Sequence, residues 1–197
     1  VTREELEQNG IVLQLLSEDH IIKPFDCEDE TLNDFLLNKA KGYKKEFLAT
    51  TFILENKEHT VAYYSIFNAS LFVEEDNFAS KSSWKKFLQN LVSHPKRHLD
   101  SFPALKIGRL GISKEFKGLG LGRMIINLII NEAYDLNNTH ACKVVSVDAY
   151  KQSINFYVKQ GFIFMTDTDK DNETRQMYFD VSSMSETGEE TGQLFTG

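Results

Sequence analysis

The chain has 197 residues, 41% hydrophobic and 26% charged, with a formal net charge of −7. That length buries a full core in one domain, and the balance is that of a soluble globular protein. No apolar run approaches a membrane span, the acidic start Arg3-Glu4-Glu5-Leu6-Glu7 is unlike a signal peptide, and two cysteines make neither a disulfide framework nor a metal quartet.

In chain order, residues 11–16 read as a first strand, followed by a loop through Pro24. Asp29, Glu30 or Thr31 can cap a helix reaching about Tyr43, with Leu32, Phe35, Leu36 and Ala40 at helical spacing. Residues 50–55 and 60–67, rich in β-branched and aromatic side chains, form a hairpin around Asn56-Lys57-Glu58-His59. Residues 69–103 read as an insertion-like segment, with an acidic patch (Glu74, Glu75, Asp76) and a short helix over 83–91 that ends before Pro95. A strand over 105–112, a helix over 120–136, a strand over 143–149 and a helix over 152–160 follow. Residues 162–166 and 174–180 pair as a last hairpin across an acidic turn. The expectation is one domain over 1–181 and a loose, polar, acidic tail over 182–197. The fold class is α+β, with a mixed and mostly antiparallel sheet layered with helices.

Charge is unevenly placed. Residues 77–165 carry 13 Lys/Arg against 5 Asp/Glu, and the remainder 9 against 24. A basic middle suits a protein that holds a phosphorylated ligand, although a lysine-dotted solvated face gives the same count. Cys27 and Cys142 are expected as buried or half-buried thiols of a reducing cytoplasm. His94 and His98 flank Pro95 and lack a third ligand, so no metal is expected.

The most informative stretch runs from the strand at 105–112 into Lys117-Gly118-Leu119-Gly120-Leu121-Gly122 and then an apolar helix. Alternating glycines let backbone approach a ligand closely. Unpaired N–H groups at the helix start, with the helix dipole behind them, favour a negative charge such as a diphosphate. Arg123, just inside the helix, adds a cation. The spacing is neither the dinucleotide fingerprint nor a Walker loop.

This run resembles the pyrophosphate signature Gln/Arg-x-x-Gly-x-Gly/Ala of the GNAT superfamily of N-acetyltransferases. Downstream, Phe156, Tyr157, Gly161 and Phe162 match the family's Phe-Tyr-x-x-x-Gly-Phe run, with Tyr150 and Ser153 where Asn and Ala are usual. The resemblance implies a three-layer α/β/α GNAT fold with two central parallel strands that splay apart. It implies acetyl-CoA as cosubstrate, held by Lys117, Gly118, Leu119, Gly120, Leu121, Gly122 and Arg123. It also implies an oxyanion met by backbone N–H near Leu110, Gly111 and Ile112, and Tyr157 as general acid on the leaving sulfur. Acetyl would pass directly to a primary amine through a ternary complex. The general base stays open among Asp148, Glu115 and water, and no covalent cysteine route is expected.

The first half is similar to the GNAT toxins of toxin–antitoxin pairs. The segment 26–36, Ala62-Tyr63-Tyr64-Ser65-Ile66, and Gly108-Arg109-Leu110-Gly111-Ile112 carry that likeness. It implies aminoacyl-tRNA as acceptor and an antitoxin as partner, whereas the acidic net charge runs against an RNA-binding surface. A non-catalytic acetyl-CoA-binding module is a further reading. A small or protein amine as acceptor stays open, and so does a homodimer.

Overall fold

The computed structural model describes residues 3–8, 10–92 and 100–184. The chain divides into two compact units, residues 1–67 with 107–128 and residues 68–106 with 129–197.

The first unit opens with α1 (Arg3–Gln8) and β1 (Val12–Leu15), which pairs antiparallel with β2 (Thr50–Glu55). β2 pairs in turn with β3 (Thr60–Phe72), through a register shift at Leu54/Glu55. Between β1 and β2 lies a broken helix: α2 (Glu30–Asp34), a π-helical turn (Phe35–Lys39) and α3 (Ala40–Lys45). Asp29 starts it, its carboxylate accepting the Leu32 N–H at 3.0 Å. The π turn adds a residue to the helical repeat and rolls Phe35 and Leu36 inward, where both are buried. They join Leu16, Phe25, Cys27, Ala40, Ile53 and Tyr63 in the core of this unit.

The second unit contains the end of β3, α4 (Lys81–Leu91) and the start of β4 (Ser101–Ile112). It also holds the later turns of α5 (Leu121–Leu136), β5 (Val144–Tyr150), α6 (Ile154–Lys159), β6 (Ile163–Phe164) and β7 (Thr174–Asp180). Strand order is β1-β2-β3-β4 through the first unit and β3-β4-β5-β7-β6 through the second. β5 and β6 each pair antiparallel with β7. The Lys143 N–H bonds the Pro103 carbonyl at 2.8 Å, and further along Lys106 meets Asp148 at 2.7 Å. Both partners advance together, so β4 and β5 run parallel and the sheet is mixed.

Two boundaries differ from the sequence expectation by four residues or more. β3 continues five residues past Phe67, because alternation persists there: Leu71 faces inward while Asn68, Ser70 and Phe72 face out. β4 starts at Ser101 and runs through Pro103, which has no N–H to donate but whose carbonyl still pairs. The segment 69–103 therefore supplies two strand ends, and α4 with them. α4 is set by a Ser80–Ser83 capping box and packs Leu88 and Leu91 on Leu71, Phe102 and Tyr178. Trp84 ties it down with an Nε1–H bond to the Val73 carbonyl at 3.0 Å. Its Lys85 and Lys86 face solvent. His94, Pro95, Lys96, Arg97, His98 and most of the expected tail lie outside the described residues.

Candidate active site

In the first unit, β4 delivers Leu110, Gly111 and Ile112 to the head of the glycine loop. The glycines of this strand answer close approaches. A Cβ on Gly111 would stand 2.7 Å from Tyr63 Cε1 and 3.2 Å from Phe25 Cζ, and one on Gly108 would stand 2.9 Å from Phe67 Cε1. Gly111 and Arg109 thus share the face that looks onto Tyr63 and Phe35, and Gly108 the opposite one. After β4 the chain is pinned by the Ser113 N–H to Val61 O at 2.9 Å and the Lys114 N–H to Asp26 O at 2.8 Å.

A short 3-10 turn (Lys114–Phe116) leads into the loop, where Gly118 (φ 80°) and Gly120 (φ 78°) occupy the left-handed region that glycine adopts without strain. Gly118 faces open space, so backbone conformation alone requires it. Among the described residues, the N–H groups of Gly118, Leu119 and Gly120 meet no backbone acceptor, and α5 adds the free donors of its first turn. Leu121 and Gly122 are buried, whereas Leu119 and Arg123 face solvent. A ring of anion donors backed by a helix dipole is what a diphosphate requires.

Lys117 is turned aside. Its Nζ donates to Glu28 Oε2 at 2.7 Å and to the Cys27 carbonyl at 3.1 Å. Lys114 Nζ sits 2.9 Å from Asp26 Oδ2. The Lys114 ammonium, the Glu28 N–H and the Asn33 amide hold the Asp26 carboxyl well below the usual carboxylate range. Asn33 also receives the Cys27 N–H at 3.0 Å, fixing a loop in which Glu28 takes φ 67°. Burial pushes the Cys27 thiol up, and that of Cys142 likewise, so neither is a ready nucleophile.

In the second unit, the run from Phe156 to Phe162 shows why its residues are spaced as they are. α6 ends in a Schellman turn: the Phe162 N–H bonds the Tyr157 carbonyl at 3.1 Å and the Gly161 N–H bonds Val158 O at 3.0 Å. Gly161, at φ 85°, makes that turn without strain. The turn folds Phe162 back against Tyr157, edge to face at 5.4 Å, and the Phe156 ring also meets Tyr157, at 5.1 Å. Tyr157 is 7% exposed, and desolvation pushes its pKa to about 12. Among the described residues its hydroxyl has no hydrogen-bond partner. The ring is locked and the donor is free.

The two expected base candidates lie in ordinary surroundings. Asp148 is paired with Lys106, beside a polar cleft of about 280 Å³ lined by Thr166, Asp169 and Gln176. Glu115 is 58% exposed, with His59 Nε2 at 4.0 Å. Sequence reasoning missed the pairing of Lys117 with Glu28 and the seat of Arg109 on Phe35, both contacts between residues far apart in the chain.

Residues 89–179 match the family model described as "Acetyltransferase (GNAT) domain", a span that holds the glycine loop and Tyr157. Among solved structures, AtaT complexed with acetyl-methionyl-tRNAfMet is 22% identical at a TM-score of 0.71, covering 89% of this chain and 97% of that one. A tyrosine-to-phenylalanine mutant of KacT is 20% identical at 0.72, covering 90% and 99%. A tyrosine-to-phenylalanine mutant of the AtaT toxin, bound to the C-terminus of the antitoxin AtaR and acetyl-CoA, is 18% identical at 0.67, covering 88% and 95%. At these identities the likeness is one of fold, and it runs through nearly the whole length of both partners. Residues 89–179 thus carry a match to the GNAT acetyltransferase domain, and the likeness of fold to GNAT toxin structures extends over most of the chain.

Proposed function

We propose that the chain transfers the acetyl group of acetyl-CoA directly to the α-amine of an aminoacyl-tRNA, as a toxin restrained by an antitoxin partner. The observation that carries the chemistry is Tyr157, a locked, buried phenol whose hydroxyl has no protein partner among the described residues. Acetyl-CoA supplies the activated acyl carbon as a thioester. The N–H groups at Gly118, Leu119 and Gly120 and the start of α5 hold its diphosphate, and Arg123 adds a cation. Backbone N–H of Leu110, Gly111 or Ile112 takes the oxyanion. As the amine nitrogen bonds the acyl carbon and the C–S bond breaks, Tyr157 gives its proton to the departing sulfur. The amine must arrive neutral. Because Asp148 is held by Lys106, the amine's surplus proton leaves to water, and water returns a proton to the Tyr157 phenolate.

The acceptor reading is supported by the toxin-like motifs of the first half and by the coverage of the AtaT and KacT structures. Among the described residues, no helix is long and apolar enough to cross a membrane. The test is transfer of labelled acetyl from acetyl-CoA to charged bulk tRNA, with Tyr157→Phe alongside. Label on the aminoacyl group that falls by about a hundredfold in the variant, with acetyl-CoA affinity unchanged, is the expected result. Full transfer by the variant removes Tyr157 from its role. Absence of label with the native chain removes the acceptor.

A further inference from the structure

Arg109 has no role in the chemistry above, yet its seat is unusual. It lies on β4 two residues before Gly111, half-buried, with Cζ 5.2 Å above the Phe35 ring centre. The platform is itself braced: Phe35 stacks on Tyr63 at 6.3 Å and takes the edge of Tyr43 at 5.2 Å. Nη1 donates to the carbonyl of Gly108 at 2.6 Å. That bond and the ring hold the guanidinium in its place. Nε is buried without any hydrogen-bond partner. Among the described residues Nη2 has no acceptor either, and no carboxylate lies within ion-pairing distance. Nearly every other cation of this neighbourhood is matched: Lys114 by Asp26, Lys117 by Glu28, Lys23 by Glu55.

An arginine seated over an aromatic ring, with its Nε–Nη2 fork unclaimed, is half of a recognition pair. A sheltered donor without a partner costs free energy that an incoming oxygen restores. The fork fits an anionic oxygen pair, either carboxylate or phosphate. An amino acid esterified to a ribose has lost its carboxylate, so the anionic oxygens nearest its amine belong to the phosphodiester of the terminal nucleotide. We propose that Arg109, seated on Phe35, binds a phosphodiester at the 3′ end of the acceptor RNA and so positions the amine. This inference rests on the aminoacyl-tRNA reading.

The experiment compares the native chain, Arg109→Gln and Arg109→Lys with charged bulk tRNA and with methionine methyl ester, between about 50 and 200 mM salt. The ester has the amine and the acyl group but no phosphate. For Arg109→Gln, KM for tRNA should rise about tenfold with kcat within about twofold, and the slope of log KM on log salt should fall by about one. Use of the methyl ester and affinity for acetyl-CoA should stay at native values. Arg109→Lys, which keeps the charge and loses the fork, should regain the salt slope but only part of the KM. Equal losses on tRNA and ester, or an unchanged KM on tRNA, overturn the assignment while leaving the acceptor reading intact. A native chain that labels the ester and never the tRNA overturns both. If Arg109→Gln does not fold, Arg109→Lys decides by the same split.

Discussion

Lys117 Nζ donates to Glu28 Oε2 at 2.7 Å, so the cation that opens the glycine loop is engaged by a carboxylate 89 positions earlier in the chain. On the proposed function, a diphosphate entering the loop would compete with Glu28 for that ammonium. Both side chains are about half exposed or more, which keeps the pair weak, at roughly 0–1 kcal/mol. Glu28→Gln should therefore tighten acetyl-CoA binding by a few-fold at most, and Lys117→Ala should loosen it by a similar factor. Calorimetric titration of acetyl-CoA at two salt concentrations checks this. A weaker complex with Glu28→Gln would mean that the carboxylate helps to shape the loop instead of opposing the ligand.

Gly161 is the hinge on which Tyr157 is held. Adding a methyl group at φ 85° costs about 1–2 kcal/mol, and it would also stand 3.3 Å from Phe179 Cε2. Gly161→Ala should lower the midpoint of thermal unfolding by several degrees and slow turnover through displacement of the ring. Gly42→Ala, inside α3 with nothing within 4 Å, should leave the midpoint unchanged or raise it. Equal melting of the two variants would show that the Schellman turn does not constrain the phenol.

Burial pushes Tyr157 and Tyr178 to about 12 and drives Tyr63 above the usual phenol range. Each folded pKa lies above the unfolded value near 10, so the folded chain holds these protons more tightly. That stability is complete below about pH 10 and is lost as pH rises toward about 12, each tenfold gain in proton affinity being worth about 1.4 kcal/mol. Urea unfolding from about pH 8 to pH 11 should show a flat region and then a steep fall. Tyr157→Phe should soften the fall, and an unaltered curve in that variant would place its hydroxyl in water.

What the sequence made legible was local. The glycine loop and the Phe156–Phe162 turn depend on residues within a few positions of one another, where pattern and backbone preference act together. The seat of Arg109 was not legible, because Phe35 reaches it only through the π-helical turn, and no spacing rule built on the regular helix anticipates the added residue. Lys117 shows the same limit from another side: its place matches a signature that usually has Gln or Arg there, while its partner is chosen by a loop built around Asn33. The extra length of β3 was written in plain alternation from Phe67 to Phe72, but the polar Asn68 and Ser70 read as an ending until their outward direction is seen.

Glu55 closes β2 as a buried carboxylate, 3% exposed, at the register shift beside the hairpin. Desolvation pushes its pKa up, yet the Thr60 hydroxyl at 2.7 Å, His20 Nε2 at 3.0 Å and Lys23 Nζ at 3.4 Å together bring it below the ordinary glutamate value. The folded state therefore favours the charged form. Its contribution is present above the unfolded pKa near 4.5 and is lost as pH falls through the lower folded value. Glu55→Gln keeps the shape and leaves Lys23 and His20 facing a neutral amide, which should cost about 1–3 kcal/mol at neutral pH. The difference between native chain and variant should shrink as pH falls below about 4, since the protonated carboxyl of Glu55 and the amide that replaces it are then equally neutral. Chemical denaturation at about pH 7, 5 and 3.5 measures that gap, and a gap that stays constant across the three would assign the loss to packing rather than charge.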